Sequence, residues 1–193
     1  MKKIAIVSVL LTTLAGCSAS VAEAKEVETV STAIEVTQME QSLWNDYLIG
    51  QAKEIERQRE IEAEKIENAK RIDKVTEKLL KHVGKTWYVF GGNTPRGWDC
   101  SGLVAWYYRH FDIELPHVAS GQKYSGKPHK FSVEKAMRGD IIWFPGHVGI
   151  YDGDGYMIHS PHPGARTERV KVLDWARDNW TTHVTYTRLI DVL

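Results

Sequence analysis

The 193-residue sequence predicts a mixed helix-and-strand domain standing behind a long N-terminal helix. Three observations carry this. Residues 51–83 contain neither Gly nor Pro and are rich in helix formers. An apolar helical face follows Asp99. Three short apolar runs, punctuated by Pro-Gly and Asp-Gly steps, lie between Gly139 and His159.

The helix comes first. Between Lys53 and Lys74, 14 of 22 residues are charged. Glu54 and Arg57, Glu56 and Arg59, Glu62 and Lys65, and Glu67 and Lys70 stand at i,i+3 spacing and support one another. Ile66, Ala69, Ile72, Val75 (or Thr76), Leu79 and Val83 form an apolar stripe. Residues 40–83 therefore read as a charged helical arm whose last turns dock on a domain. Regular a/d heptads are not sustained, so a spacer arm is preferred over a self-associating coiled coil. Its protein partner, if it has one, is unknown. Residues 17–39 show no clear period and read as a flexible tether.

Composition changes at Gly84. From there to Leu193 lie 17 of the 19 aromatics, 13 of the 15 glycines and all six prolines. These residues, 84–193, form the globular domain, which is long enough to bury a core without disulfides. Lys+Arg and Asp+Glu balance at 25 each, which gives no support for a nucleic-acid partner.

At the N-terminus, Met1-Lys2-Lys3 precedes a 12-residue uncharged run, Ile4 to Ala15, the pattern of an export signal. Leu14-Ala15-Gly16-Cys17 resembles a bacterial lipobox. Residues 1–16 would then be removed and Cys17 lipidated, anchoring the protein to a membrane. Ala22-Glu23-Ala24 offers an ordinary cleavage site after residue 24 instead, with release into the wall or medium. Either way the mature protein is expected outside the cytoplasm. Loss of Lys2 and Lys3 leaves 23 basic against 25 acidic residues, a net charge of −2.

Cys100 is then the one thiol of the domain. Asp99 is a good N-cap, and Leu103, Val104, Trp106, Tyr107 and Phe111 give the helical face. Cys100 falls in the first turn, where free N–H groups and the helix dipole favour a thiolate. The upstream loop from Gly91 to Gly97 would let a substrate backbone approach closely. Trp87, Trp98 and Trp143 are candidates for the groove wall, though each is more often core.

A thiol nucleophile needs a base, and the base an orienting partner. Gly139 to Phe144, His147 to Tyr151 and Tyr156 to His159 read as strands, with Pro145-Gly146 and Asp152 to Gly155 as turns. Direct opposition of His147 and His159 would put Tyr151 across from Gly155 over a three-residue loop. A two-residue loop without a bulge would send the histidines to opposite faces. A shared role therefore requires an odd loop or a bulge.

Asp99-Cys100-Ser101-Gly102-Leu103, Gly139-Asp140-Ile141-Ile142-Trp143-Phe144, His147-Val148-Gly149-Ile150-Tyr151 and Met157-Ile158-His159 resemble the successive motifs of the NlpC/P60 cell-wall peptidases. Tyr88-Val89-Phe90-Gly91-Gly92 resembles that family's aromatic Gly-Gly segment. The resemblance spans about residues 75–190. It implies a papain-like α+β fold, with the nucleophile helix packed on an antiparallel sheet. It implies a cysteine endopeptidase of peptidoglycan stem peptides, commonly acting between γ-D-glutamyl and a diamino acid. Cys100 would be the nucleophile, His147 the base and His159 the orienting third residue. Tyr88, Asp99 and Ser101 would support substrate or oxyanion, with helix capping an equal reading for the last two. His117 stands where many relatives carry Arg.

No cofactor is implied. A metal site built from Cys100, His147, His159 and His162 is a weaker alternative, since Pro161 breaks the ligand spacing. Two others are a non-catalytic wall-binding lipoprotein and an amidase or acyltransferase on the same fold.

Overall fold

The computed structural model describes the backbone of residues 21–192 and side chains from residue 28. The expected signal segment, the lipobox-like motif and Cys17 lie outside the described residues. The chain divides into two units, residues 1–57 and 58–193.

Helix α1 spans Val21–Leu80. Residues 21–39, read from sequence as a flexible tether, are helical. This corrects the expectation. The segment has no Gly or Pro, and its hydroxyls fold back onto the helix: Thr32 Oγ1 donates to the Glu28 carbonyl and Thr37 Oγ1 to that of Ala33, both at 2.8 Å. Side chains from 28 to 57 are all exposed. The Glu54–Arg57 pair forms at 2.7 Å. No described helix is long and apolar enough to cross a membrane.

In the second unit, the stripe at the end of α1 docks as expected. Ile72, Val75, Thr76 and Leu79 are buried, whereas Ile66 stays exposed. A two-stranded ribbon, β1 (Asn93–Thr94) and β2 (Gly97–Trp98), leads into α2 (Cys100–Arg109). Then come α3 (Ala119–Lys123), β3 (Pro128–Lys130), β4 (Ile141–Phe144), β5 (His147–Gly153), β6 (Tyr156–His159), β7 (Glu168–Lys171), α4 (Val172–Asp178) and β8 (Thr185–Thr187). The sheet is antiparallel, in the order β3-β8-β4-β5-β6-β7. This is an α+β fold with the cysteine helix against an antiparallel sheet.

Alternation along the central strands builds two cores. Ile141, Val148, Ile150 and Ile158 face α2 and the end of α1, packing with Leu79, Leu103, Val104 and Tyr107. Ile142, Phe144, Tyr151 and Met157 face α4, packing with Val172 and Ala176. Full burial of each large side chain contributes about 1.5–3 kcal/mol. Because both faces are covered, β5 reads as a nearly continuous apolar run.

Charged residues pin this frame. Asp152 is buried and accepts from Arg138 and Arg169, and Arg138 also reaches Asp73 and Glu77 on α1. Asp140, beside β4, takes a bidentate bond from Arg188 just past β8.

The β5–β6 hairpin settles the histidine register. Ile150 pairs with Ile158 and Tyr151 with Met157, but Gly153 pairs with Tyr156. Asp152 is therefore a bulge. The turn itself is two residues, Asp154 and Gly155, both with positive φ (50° and 83°), as a tight primed hairpin turn requires. Of the two alternatives the sequence left, an odd loop or a bulge, the structure has the bulge, and the three-residue loop is absent. Consequently His159 is level with Gly149, and His147 is its diagonal neighbour on the same face. The sequence-based register was off by two residues, which preserves the facing.

Candidate active site

Cys100 is the first residue of α2. Asp99 caps the helix: its Oδ1 accepts from the Gly102 N–H at 2.7 Å and from Ser101 Oγ at 2.9 Å. His117 Nε2 meets the same oxygen at 2.9 Å, and the Gly91 N–H donates to Oδ2 at 2.8 Å. Burial works to raise the Asp99 carboxyl, but these four bonds outweigh it and hold it below its ordinary value. Asp99 thus fastens the Gly91 loop, His117 and the Cys100 helix to one point. Ser101 is buried. Both residues cap and brace the helix start, and His117 is held against Asp99.

The glycines permit this contact. A Cβ on Gly102 would lie 1.9 Å from the Gly92 carbonyl oxygen, and one on Gly92 would lie 2.4 Å from that of Gly97. Gly92 therefore serves packing within the chain rather than substrate approach. Gly91, with φ +73° and open space around its Cα, lines the cleft.

The cleft, about 530 Å³, runs past Tyr88, Phe90, Gly91, Asp99, Cys100, Ser101, His117 and Gly146. Tyr88 is half-buried, and its phenol is pushed up first by burial and then by the proximity of Cys100 and Asp99. It stays neutral, with a proton to donate. Trp98 is instead fully buried core, its indole donating to Thr167 Oγ1 at 2.8 Å. Trp87 is half-exposed beneath Arg166 and does not line the cleft.

The Cys100 thiol meets the backbone N–H of Val148, the residue after His147. Burial pushes the thiol up, outweighing the downward pull of the Val148, Ser101 and Cys100 N–H groups. The expected stabilisation of a thiolate by the helix start is present but is not the larger effect, so the resting thiol is neutral. His147 is buried, and burial lowers its imidazole to about 4. His147 Nε2 lies 2.8 Å from His159 Nδ1. His159 is fully buried and lowered to about 3, by burial first and then by His147 and His162. Its Nε2 has no partner among the described residues.

One participant was not expected from sequence. Trp175 on α4 stacks on His147 with centroids 4.7 Å apart and meets His159 edge-on at 5.7 Å. The local signal was Val172, Trp175 and Ala176 at helical spacing, which marks a buried face but not what it covers. His162 stands apart from the pair, its Nδ1 2.9 Å from the Pro163 carbonyl. Among the described residues, no three His, Cys, Asp or Glu side chains converge as metal ligands.

Residues 84–188 match the NlpC/P60 family. Among curated relatives, the chain is 39% identical over 89 residues to a Mycobacterium tuberculosis protein named "Probable endopeptidase", covering 45% of this chain and 22% of that one. It is 37% identical over 110 residues to the bifunctional muramidase/DL-endopeptidase CwlT of Bacillus subtilis, covering 52% of this chain and 32% of that protein. The chain thus spans about a fifth to a third of these relatives. The crystallised peptidoglycan hydrolase RipB of Mycobacterium tuberculosis shares the fold, with a TM-score of 0.53 and 22% identity over 64% of this chain and 66% of that one. The motif order, the Cys100 helix and the paired histidines agree with the family match, and the chain belongs to the NlpC/P60 family.

Proposed function

We propose that this protein is a cysteine endopeptidase that cleaves amide bonds in peptidoglycan stem peptides, with the bond from γ-D-glutamyl to a diamino acid as its target. The observation that carries the reading is the 2.8 Å contact between His147 and His159 on the strands beside a cleft-lining Cys100. The name DL-endopeptidase borne by the Bacillus subtilis relative supports the bond assignment.

In this reading Cys100 is the nucleophile, and the resting pair is a neutral thiol and a neutral imidazole. His147 Nε2–H donates to His159 Nδ1, leaving Nδ1 of His147 free to take the thiol proton as sulfur attacks the carbonyl carbon. His159 then carries its own proton on Nε2. The N–H groups of the first turn of α2 and the Tyr88 hydroxyl receive the developing oxyanion. His147 returns the proton to the leaving amine, and water hydrolyses the thioester by the same route. Asp99 and Ser101 act by fixing the loop and the helix start.

We place this activity outside the cytoplasm, with Cys17 lipidated. A Cys17→Ala protein that still partitions with membranes would sink the anchor. The function is tested by digesting sacculi and weighing the products. Wild type is expected to release fragments cut within the stem peptide. Equal release by Cys100→Ala would refute the proposal.

A further inference from the structure

A second cavity, of about 620 Å³, adjoins the catalytic cleft and takes no part in the chemistry above. The two meet at the β4–β5 turn, where Pro145 lines the cavity and Gly146 the cleft. They meet again on α3, where Ser120 lines the cleft and Lys123 the cavity.

The cavity floor is a row of register partners. Trp143 on β4 pairs with Thr185 on β8, and Thr185 with Lys130 on β3. In the other direction Trp143 pairs with Val148, whose N–H meets the Cys100 thiol. Neighbouring strands stand about 4.8 Å apart, so three steps place Lys130 roughly 14 Å from Val148. That is the length of a few extended residues. One straight row of the sheet therefore leads from the nucleophile to the far wall of the cavity.

The chemistry of the walls is one-sided. Lys123, Lys130, His129 and His183 line the cavity, and no Asp or Glu does. Lys123 Nζ sits 3.8 Å over the Trp143 ring. Two polar atoms of the floor, Trp143 Nε1 and Thr185 Oγ1, are sealed from solvent without a hydrogen-bond partner among the described residues. Buried donors are rarely left unpaired in a finished core. Here the lining carries two lysines, together with an indole and a hydroxyl whose polar atoms have no partner among the described residues.

We propose that this cavity is a subsite for a carboxylate. An ammonium gives a carboxylate charge-assisted bonds, and the indole and hydroxyl add the donors that orient it. Occupation requires Lys123 to swing off Trp143, which a four-carbon stem allows. The occupant is the free C-terminal carboxylate of a peptide whose other end lies at Cys100. Its identification as a stem peptide rests on the peptidoglycan reading; the affinity for a carboxylate does not.

The test uses the full chain carrying Cys100→Ala, so that nothing is cleaved, and follows its backbone and indole N–H signals by NMR. The probes are N-acetyl-alanyl-alanine and the same peptide with its C-terminus amidated. The free acid is expected to shift the Trp143 indole and the amides of Thr185 and Lys130 saturably. The amide should bind at least tenfold more weakly. Adding Lys123→Met and Lys130→Met should weaken the acid at least tenfold while the spectrum reports an unchanged fold. Equal binding of acid and amide, shifts confined to the cleft, or full affinity in the double lysine variant would each overturn the proposal. So would tighter binding of tri-N-acetylglucosamine at the same signals. Failure here leaves cleavage by Cys100 standing. Sacculi left intact by an active-site-competent protein that still binds the free acid would refute the hydrolase reading alone.

Discussion

The indole of Trp175 lies face to face with the imidazole of His147, with ring planes 20° apart. Phe144 backs the indole at 4.5 Å, so its position is set by the core. The stack does two things. It holds the imidazole in the plane that reaches His159 Nδ1, and it keeps water off one ring face. Burial is what lowers His147 to about 4.

Trp175→Ala should therefore let the His147 value climb back towards 6.5. The acid limb of kcat/KM would move up in pH with it, because the base is lost once it is protonated. A rise to about 6 would leave roughly a tenth of the base form at pH 5. Trp175→Phe should restore most of the wild-type profile. A pH–rate profile for the three proteins decides this, and an acid limb that does not move refutes a role for the stack.

In the proposed mechanism His159 accepts a bond from His147 that strengthens when His147 becomes cationic. A hydrogen bond to a charged group contributes about 1.5–3 kcal/mol, so His159→Ala should cost roughly 10- to 150-fold in kcat. His159→Asn keeps an acceptor and should lose less. Equal losses in the two variants would count against orientation by hydrogen bonding.

The same two histidines should govern stability in acid. Both are held neutral in the fold, at about 4 and about 3. Above about 6.5 folded and unfolded chains carry equal protons on them, so they contribute no slope. Below 6.5 the unfolded chain takes up protons that the fold refuses, and stability falls as the pH drops towards 4. Thermal melts from pH 7 to pH 4 should show a shallower decline for His159→Asn than for wild type.

Cys100 alkylation should report the neutral resting thiol. Burial holds it above its ordinary value, so the rate with iodoacetamide should be low at pH 7 and climb through the alkaline range. A reactivity plateau reaching down to pH 5 would show a thiolate already formed and would contradict this assignment.

Two glycine variants separate geometry from stability. A Cβ on Gly149 would sit 3.0 Å from the Ile158 carbonyl oxygen and 3.1 Å from His159 Cβ. Gly149→Ala should shift His159 by tenths of an ångström and reduce kcat with a modest fall in Tm. Gly102→Ala drives a methyl into the Gly92 backbone and should destabilise the fold by about 1–3 kcal/mol. A kcat unchanged in Gly149→Ala would show that the diagonal pair tolerates displacement.

Several elements were legible because their signals are local. The helix-forming run and its apolar stripe showed the docking turns of α1. Asp99 before an apolar helical face marked α2 and put Cys100 at its start. The Pro-Gly and Asp-Gly steps outlined β4, β5 and β6, and a shared face for His147 and His159 required an odd loop or a bulge, of which the structure has the bulge, at Asp152. Residues 21–39 were not read as helix because they show no apolar period, the signal that marks a helix packed on a core, and their described side chains are all exposed. The short strands β3, β7 and β8 and the helices α3 and α4 went unannounced. Each is seven residues or fewer and is stabilised by the sheet it joins rather than by its own pattern.

The sequence by itself determined the candidate residues, because a capped helix start at Cys100 and two strand histidines are written in spacing and periodicity. The tertiary structure alone decided how they are tuned. Burial by separate elements keeps Cys100 and His147 neutral. Trp175, 28 residues beyond His147, roofs the base, and a row across β5, β4, β8 and β3 joins the cleft to a cationic cavity. None of these is visible along the chain. Desolvation and cross-strand register depend on which segments meet, and that is settled only when both faces of the sheet are buried.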